Sequence, residues 1–95
     1  MRKNNNRDEI EVLKKEIIAY ENGCNYYSKL ENQSDWKAHE LEEKLNSLSA
    51  DDPARERIEK EMKAARGLTR TYKRLNFEQH EVLEKLRERL RNLEK

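Results

Sequence analysis

The sequence predicts an all-α protein, a long antiparallel helical hairpin of coiled-coil type that dimerises into a four-helix bundle. Three observations carry that expectation. Apolar residues recur at alternating spacings of three and four along nearly the whole chain, the period of a helical face. Element breakers are almost absent, with two Gly and one Pro in 95 residues. The lone Pro53 lies between two apolar stripes that mirror each other.

The first stripe is Ile10, Leu13, Ile17, Tyr20, Cys24, Tyr27, Glu31, Ser34, Ala38, Leu41, Leu45 and Leu48. The second is Ile58, Met62, Ala65, Thr69, Tyr72, Asn76, Gln79, Leu83, Leu86, Leu90 and Leu93. Folding the chain back at the proline places Leu45 opposite Ile58, Leu41 opposite Met62, Ala38 opposite Ala65 and Ser34 opposite Thr69. Nearer the termini, Tyr20 meets Leu83, Ile17 meets Leu86, Leu13 meets Leu90 and Ile10 meets Leu93. Large residues face large ones, small face small, and polar face polar. In heptad terms Ile10 is an a position and Leu13 a d position, and the phase holds without a slip to Leu48.

The elements follow in order. The whole chain, 1–95, reads as a single hairpin domain, with helix one over about 7–49, a turn over 49–53 and helix two over about 53–93. Asn5 or Asn6 can cap the first helix, and Asp8 and Glu9 suit the positive end of its dipole. Asn22-Gly23 is a turn signal that would give three helices if the chain broke there, yet the heptad crosses it in phase, so a continuous helix, locally weakened or bent, is expected. Ser49-Ala50-Asp51-Asp52-Pro53 makes the turn, with Asp52 as N-cap and Pro53 at the first helical position. Arg87, Arg89 and Arg91 suit the C-terminal end of the second dipole. At 1.5 Å per residue each helix should be roughly 60 Å long. Gly67 falls on the outer face, where it costs roughly 1 kcal/mol relative to Ala. On the flanks of the seam, Lys44 with Glu61, Glu16 with Arg89 and Asp35 with Arg66 are expected to attract. Glu42 with Glu59 and Lys14 with Arg87 are expected to repel.

Composition narrows the functional classes. Charged residues make up 43% of the chain and hydrophobic ones 34%, the reverse of the ordinary globular balance, so no thick core can form. The net charge of +1 selects no partner. No apolar run is long enough to span a bilayer, and no apolar stretch follows Met1-Arg2-Lys3 to make a signal peptide. One cysteine excludes an internal disulfide and makes a reducing, cytoplasmic setting the default.

Chemistry has little to work with. The carboxylates are interleaved with Lys and Arg, as on a solvated helix surface. His39 and His80 do not face each other and have only surface Glu at ligand spacing, so no metal site is expected. Cys24 is a seam residue with no histidine or helix N-terminus to lower its pKa. There is no glycine-rich phosphate loop and no nucleophile–base–orienter set. The expectation is a non-enzyme with no cofactor, no small-molecule substrate and no membrane partner.

Partner binding is where the residues point. The middle layers of the seam are polar: Ser34/Thr69, Glu31/Tyr72, Tyr27/Asn76 and Cys24/Gln79. At the same level Leu30, Leu68, Leu75 and Val82 stand beside the seam, all at g. A two-helix seam would leave that stripe wet, so a second copy or a partner helix should cover it. Leu30, Leu68, Tyr72, Leu75 and Val82 are therefore the expected oligomer or partner interface. Trp36 is added because it is the only tryptophan and Trp is enriched at binding hot spots. A second surface lies on helix two. Between Met62 and Phe77 stand Lys63, Arg66, Arg70, Lys73 and Arg74, with no Asp or Glu. Such a stripe can track phosphates. The functional expectation is an interaction, adaptor or assembly protein acting through oligomeric helical surfaces. The alternative is a nucleic-acid-binding accessory or regulatory protein using the five cations.

Overall fold

The computed structural model describes residues 2–95, with side chains from residue 6 onward. Two helices account for nearly all of it, α1 (Arg2–Ser47) and α2 (Arg55–Glu94). They pack side by side as an antiparallel hairpin, a rod of 76 × 15 × 14 Å.

The mirrored register is present. Every seam position from Ile10 to Leu48 and from Ile58 to Leu93 is buried or half-buried. Two apolar clusters mark its ends. Near the turn, Leu41, Leu45, Ile58 and Met62 pack together, with Leu48 and Ala54 against them. Toward the termini, Ile17, Cys24 and Leu83 form a second cluster, flanked by Tyr20, Leu86 and Leu90. Between the clusters the Ser34 and Thr69 hydroxyls meet at 2.7 Å. Ser34 also lies 3.0 Å from the Glu31 carbonyl and Thr69 lies 3.1 Å from the Ala65 carbonyl. One hydroxyl therefore donates to the other, and the acceptor donates onward to its own helix backbone. Each hydroxyl could also donate to its own helix, so the cross-helix bond is an added contact made in this register, and it favours the register.

α1 runs unbroken through Asn22-Gly23, and no glycine has a positive φ. Gly23 is there for packing. A Cβ at this position would stand 2.8 Å from Oε1 of Gln79, so its absence lets the Gln79 side chain lie along the α1 backbone. Gly67 has no such neighbour.

The ends differ from the sequence expectation. α1 begins at Arg2, so neither Asn5 nor Asn6 stands at its start, and Asp8 and Glu9 fall beyond the first turn. Nothing in the leading residues breaks a helix, and propagation is easy once a helix is nucleated. At the other end α1 stops at Ser47 and α2 proper starts at Arg55. Asp52 is not the N-cap of α2: Ala54 stands there without a side-chain capping bond, and Asp52 instead holds the lead-in turn, its Oδ1 accepting from the Ala54 N–H at 2.9 Å and its carbonyl from the Arg55 N–H at 3.1 Å. Pro53 sits inside this turn, before the α-helical hydrogen bonds begin.

The flanking charges pair one heptad away from expectation. Arg66 bridges to Glu42 at 3.5 Å, not to Asp35, and Arg87 bridges to Glu21 at 3.0 Å, away from Lys14. The expected Glu42–Glu59 and Lys14–Arg87 repulsions are thereby relieved. The cause is the lean of helical side chains toward their own N-terminus. In antiparallel helices the two leans are opposed, so each side chain reaches a partner further along. On the g side neither Lys44–Glu61 nor Glu16–Arg89 closes to ion-pair distance among the described residues.

Candidate interaction surfaces

Because g and e positions flank the seam on opposite sides, the hairpin has two distinct long faces. The g face carries the apolar stripe. On α2, Leu68 is 48% exposed and Val82 37%, with Tyr72 and Leu75 half-buried between them. On α1, Leu30 is half-buried at the same level, and Val12 and Tyr26 are exposed along the same side. Leu30, Leu68 and Tyr72 line a shallow groove of ≈ 340 Å³ with Gln33, Ala64 and Lys37. Of the sequence-expected interface residues, Leu30, Leu68 and Tyr72 meet in this groove, while Leu75 and Val82 continue the stripe along α2 beyond it. Trp36 is elsewhere. It stands on the outer face of α1, 65% exposed, with its indole N–H donating to Glu40 at 2.6 Å.

The e face carries the charge. Lys63, Arg66, Arg70, Lys73 and Arg74 are all exposed. Arg66 is held by Glu42 at 3.5 Å, while the other four have no carboxylate within ion-pair distance among the described residues. Lys63, Arg66 and Arg70 border an open groove with Asp35 and Thr69. Phe77 extends the row, 64% exposed. At its far end Arg87 is clamped by Glu84 at 2.9 Å and Glu21 at 3.0 Å, and these two hydrogen bonds raise its already high pKa.

The polar groups inside the seam are structural. Cys24 is 5% exposed, and burial pushes its thiol above the usual range, against a smaller lowering by Arg87. That is the opposite of what a nucleophile needs. Asn76 donates to the Ser28 hydroxyl at 2.9 Å, while its Oδ1 is buried without a partner. His39 lies 3.7 Å from Glu43 on the exposed surface. Among the described residues no three His, Cys, Asp or Glu side chains converge as metal ligands, and no helix is long and apolar enough to cross a membrane.

One contributor was not recognised from the sequence. The Arg55 guanidinium donates to the carbonyls of Leu45 at 3.1 Å and Leu48 at 3.3 Å. It thus gives the Leu48 carbonyl a donor at the end of α1 and adds a second donor to the Leu45 carbonyl, which already accepts from the Leu48 N–H at 3.2 Å, tying the turn to both helices. The signal was available: Arg55 occupies the mirror position of Leu48, a charged residue where the stripe calls for an apolar one.

No protein-family model, curated protein or solved structure matches this chain. Its surfaces therefore carry the functional argument alone.

Proposed function

We propose that the chain is a non-enzymatic interaction protein, an adaptor or assembly element, that works through oligomeric helical surfaces. The observation that supports this most is the apolar stripe on the g face. A hairpin two helices wide has no other layer to cover Leu68, Leu75 and Val82. Burying one such side chain fully stabilises by roughly 1.5–3 kcal/mol, which a second copy or a partner helix would recover. The simplest assembly is a homodimer forming a four-helix bundle. Light scattering tests it: the wild type should exceed the monomer mass of 11.5 kDa, and Leu75→Glu should return it to that mass. A single 11.5 kDa wild-type species at high concentration would end the proposal.

A second reading rests on the e face. Among the described residues Lys63, Arg70, Lys73 and Arg74 make no ion pairs and lie on one side of α2 (with Phe77 available to stack), an arrangement suited to a phosphate backbone. Affinity for DNA or RNA should then fall steeply with salt. No binding at roughly 50 mM salt, where four phosphate contacts would weigh heavily, removes this reading.

A further inference from the structure

We infer that the second copy lies antiparallel on the g face, α2 against α2, with Leu75 on the two-fold axis. This rests on the self-association proposed above and specifies its geometry. The g positions of α2 read Glu61, Leu68, Leu75, Val82, Arg89: an acid, three apolar residues, a base. The series is complementary to its own reverse. Two copies of α2 crossing at Leu75 set Leu68 against the partner's Val82 and Glu61 against the partner's Arg89, twice over by symmetry.

Three observations favour this register. Glu61 and Arg89 are exposed, and neither has an ion-pair partner in its own chain among the described residues. Both charges are thus available to another chain. A slip of one heptad in either direction places Glu61 on the partner's Val82 or Leu68 on the partner's Arg89, burying a charge against an apolar side chain. The same two-fold also serves α1. It brings Leu30 beside the partner's Tyr26 and sets Glu16 between the partner's Lys37 and Lys44. The face from Glu61 to Arg89 is roughly 40 Å long at 1.5 Å per residue. With the 15 Å width of the rod it offers roughly 600 Å² per partner as a flat projection, at the lower end of the roughly 1,200–2,000 Å² total of stable interfaces.

The competing arrangement turns the second copy about the long axis, so that α2 lies on the partner's α1. It would satisfy Glu16 with Arg89 and Lys44 with Glu61. It also sets Val82 over Gly23 and Leu68 against Lys37, leaving two apolar side chains unmatched.

Charge reversal separates the two. E61R and R89E should each weaken dimerisation roughly tenfold, and the double variant should return to within roughly threefold of wild type. In the competing arrangement the double variant is weaker than either single one, because position 61 then faces the partner's Lys44 and position 89 the partner's Glu16. Leu75→Cys should oxidise to a covalent dimer, since a two-fold position brings its two Cβ atoms within disulfide reach, about 3.5–4.5 Å. Unchanged helical circular dichroism confirms that these exposed or half-buried sites do not disturb the hairpin. A dimer in which charge reversal is not rescued and Leu75→Cys stays uncross-linked overturns the register while leaving self-association standing. A monomeric wild type overturns both.

Discussion

Leu83→Ala tests the energetic weight of the seam. Leu83 is 2% exposed, the most enclosed large side chain described, and it packs against Ile17 and Cys24 with Tyr20 and Leu86 alongside. Truncating a buried Leu costs about 2–5 kcal/mol, more where the cavity cannot collapse. A two-helix seam is open to solvent on both flanks, so side chains can shift and water can enter, and the cost should fall at the low end, about 2–3 kcal/mol. A chain of this size holds about 5–14 kcal/mol in total, so the loss is a large fraction. With a urea slope of about 1–1.5 kcal/mol/M, the midpoint should drop by roughly 2 M. The measurement is urea unfolding followed by circular dichroism at one fixed chain concentration, because association shifts the midpoint by mass action. Leu68→Ala is the control, since its side chain is 48% exposed. It should change the midpoint little at low concentration. A loss below about 1 kcal/mol for Leu83→Ala, or equal losses for both variants, would refute the reasoning that burial in the hairpin carries the stability.

Other outcomes follow from particular residues. Gly67→Ala should stabilise by up to roughly 1 kcal/mol, the difference in helix propensity, because its Cβ meets open space. Gly23→Ala should gain less, because its Cβ would stand 2.8 Å from Gln79 Oε1 and the end of that side chain must swing aside; equal gains in thermal unfolding would show that the displacement costs nothing. Cys24 should resist alkylation in the folded protein at pH 8 and react fast in urea. Its thiol pKa is raised by burial, so the folded state holds the proton more tightly than the unfolded one. The resulting stability is present below the ordinary thiol pKa and is lost as pH rises through the folded value. Urea midpoints should therefore decline in that alkaline window more in wild type than in Cys24→Ala, and identical declines would contradict the burial.

The hairpin was legible because a heptad is a long-range signal carried by many residues. Leu41 with Met62 and Ser34 with Thr69 could be paired by counting alone, since a turn at the single proline fixes which residues lie opposite. The phase across Asn22-Gly23 outweighed a local turn signal for the same reason. What counting missed depends on side-chain direction and on local chemistry. The Glu42–Arg66 and Glu21–Arg87 bridges need the opposed lean of the two helices, which a list of heptad letters does not contain. The Arg55 cap needs the positions of the Leu45 and Leu48 carbonyls at the end of α1. The α1 start depends on weak propensities, since polar residues such as Asn6 fit both a cap and an ordinary helical position. The candidate surfaces were legible as stripes, and the helix pair separates them into an apolar g face and a basic e face. Trp36 shows the limit of ranking by residue type: the wheel puts it on the outer face, apart from Leu30 and Leu75.

The most direct test of the hairpin is a distance within one molecule. Spin labels at the exposed positions Lys15 and Glu88, in chains diluted with an excess of unlabelled protein, report whether the arms of a single chain lie side by side. Adjacent helices about 8–10 Å apart, with labels on their outer faces, should give a separation of roughly 20–30 Å. If the chain instead ran as one continuous helix and paired only with another molecule, the same two sites would lie about 110 Å apart at 1.5 Å per residue, and the short distance would vanish on dilution.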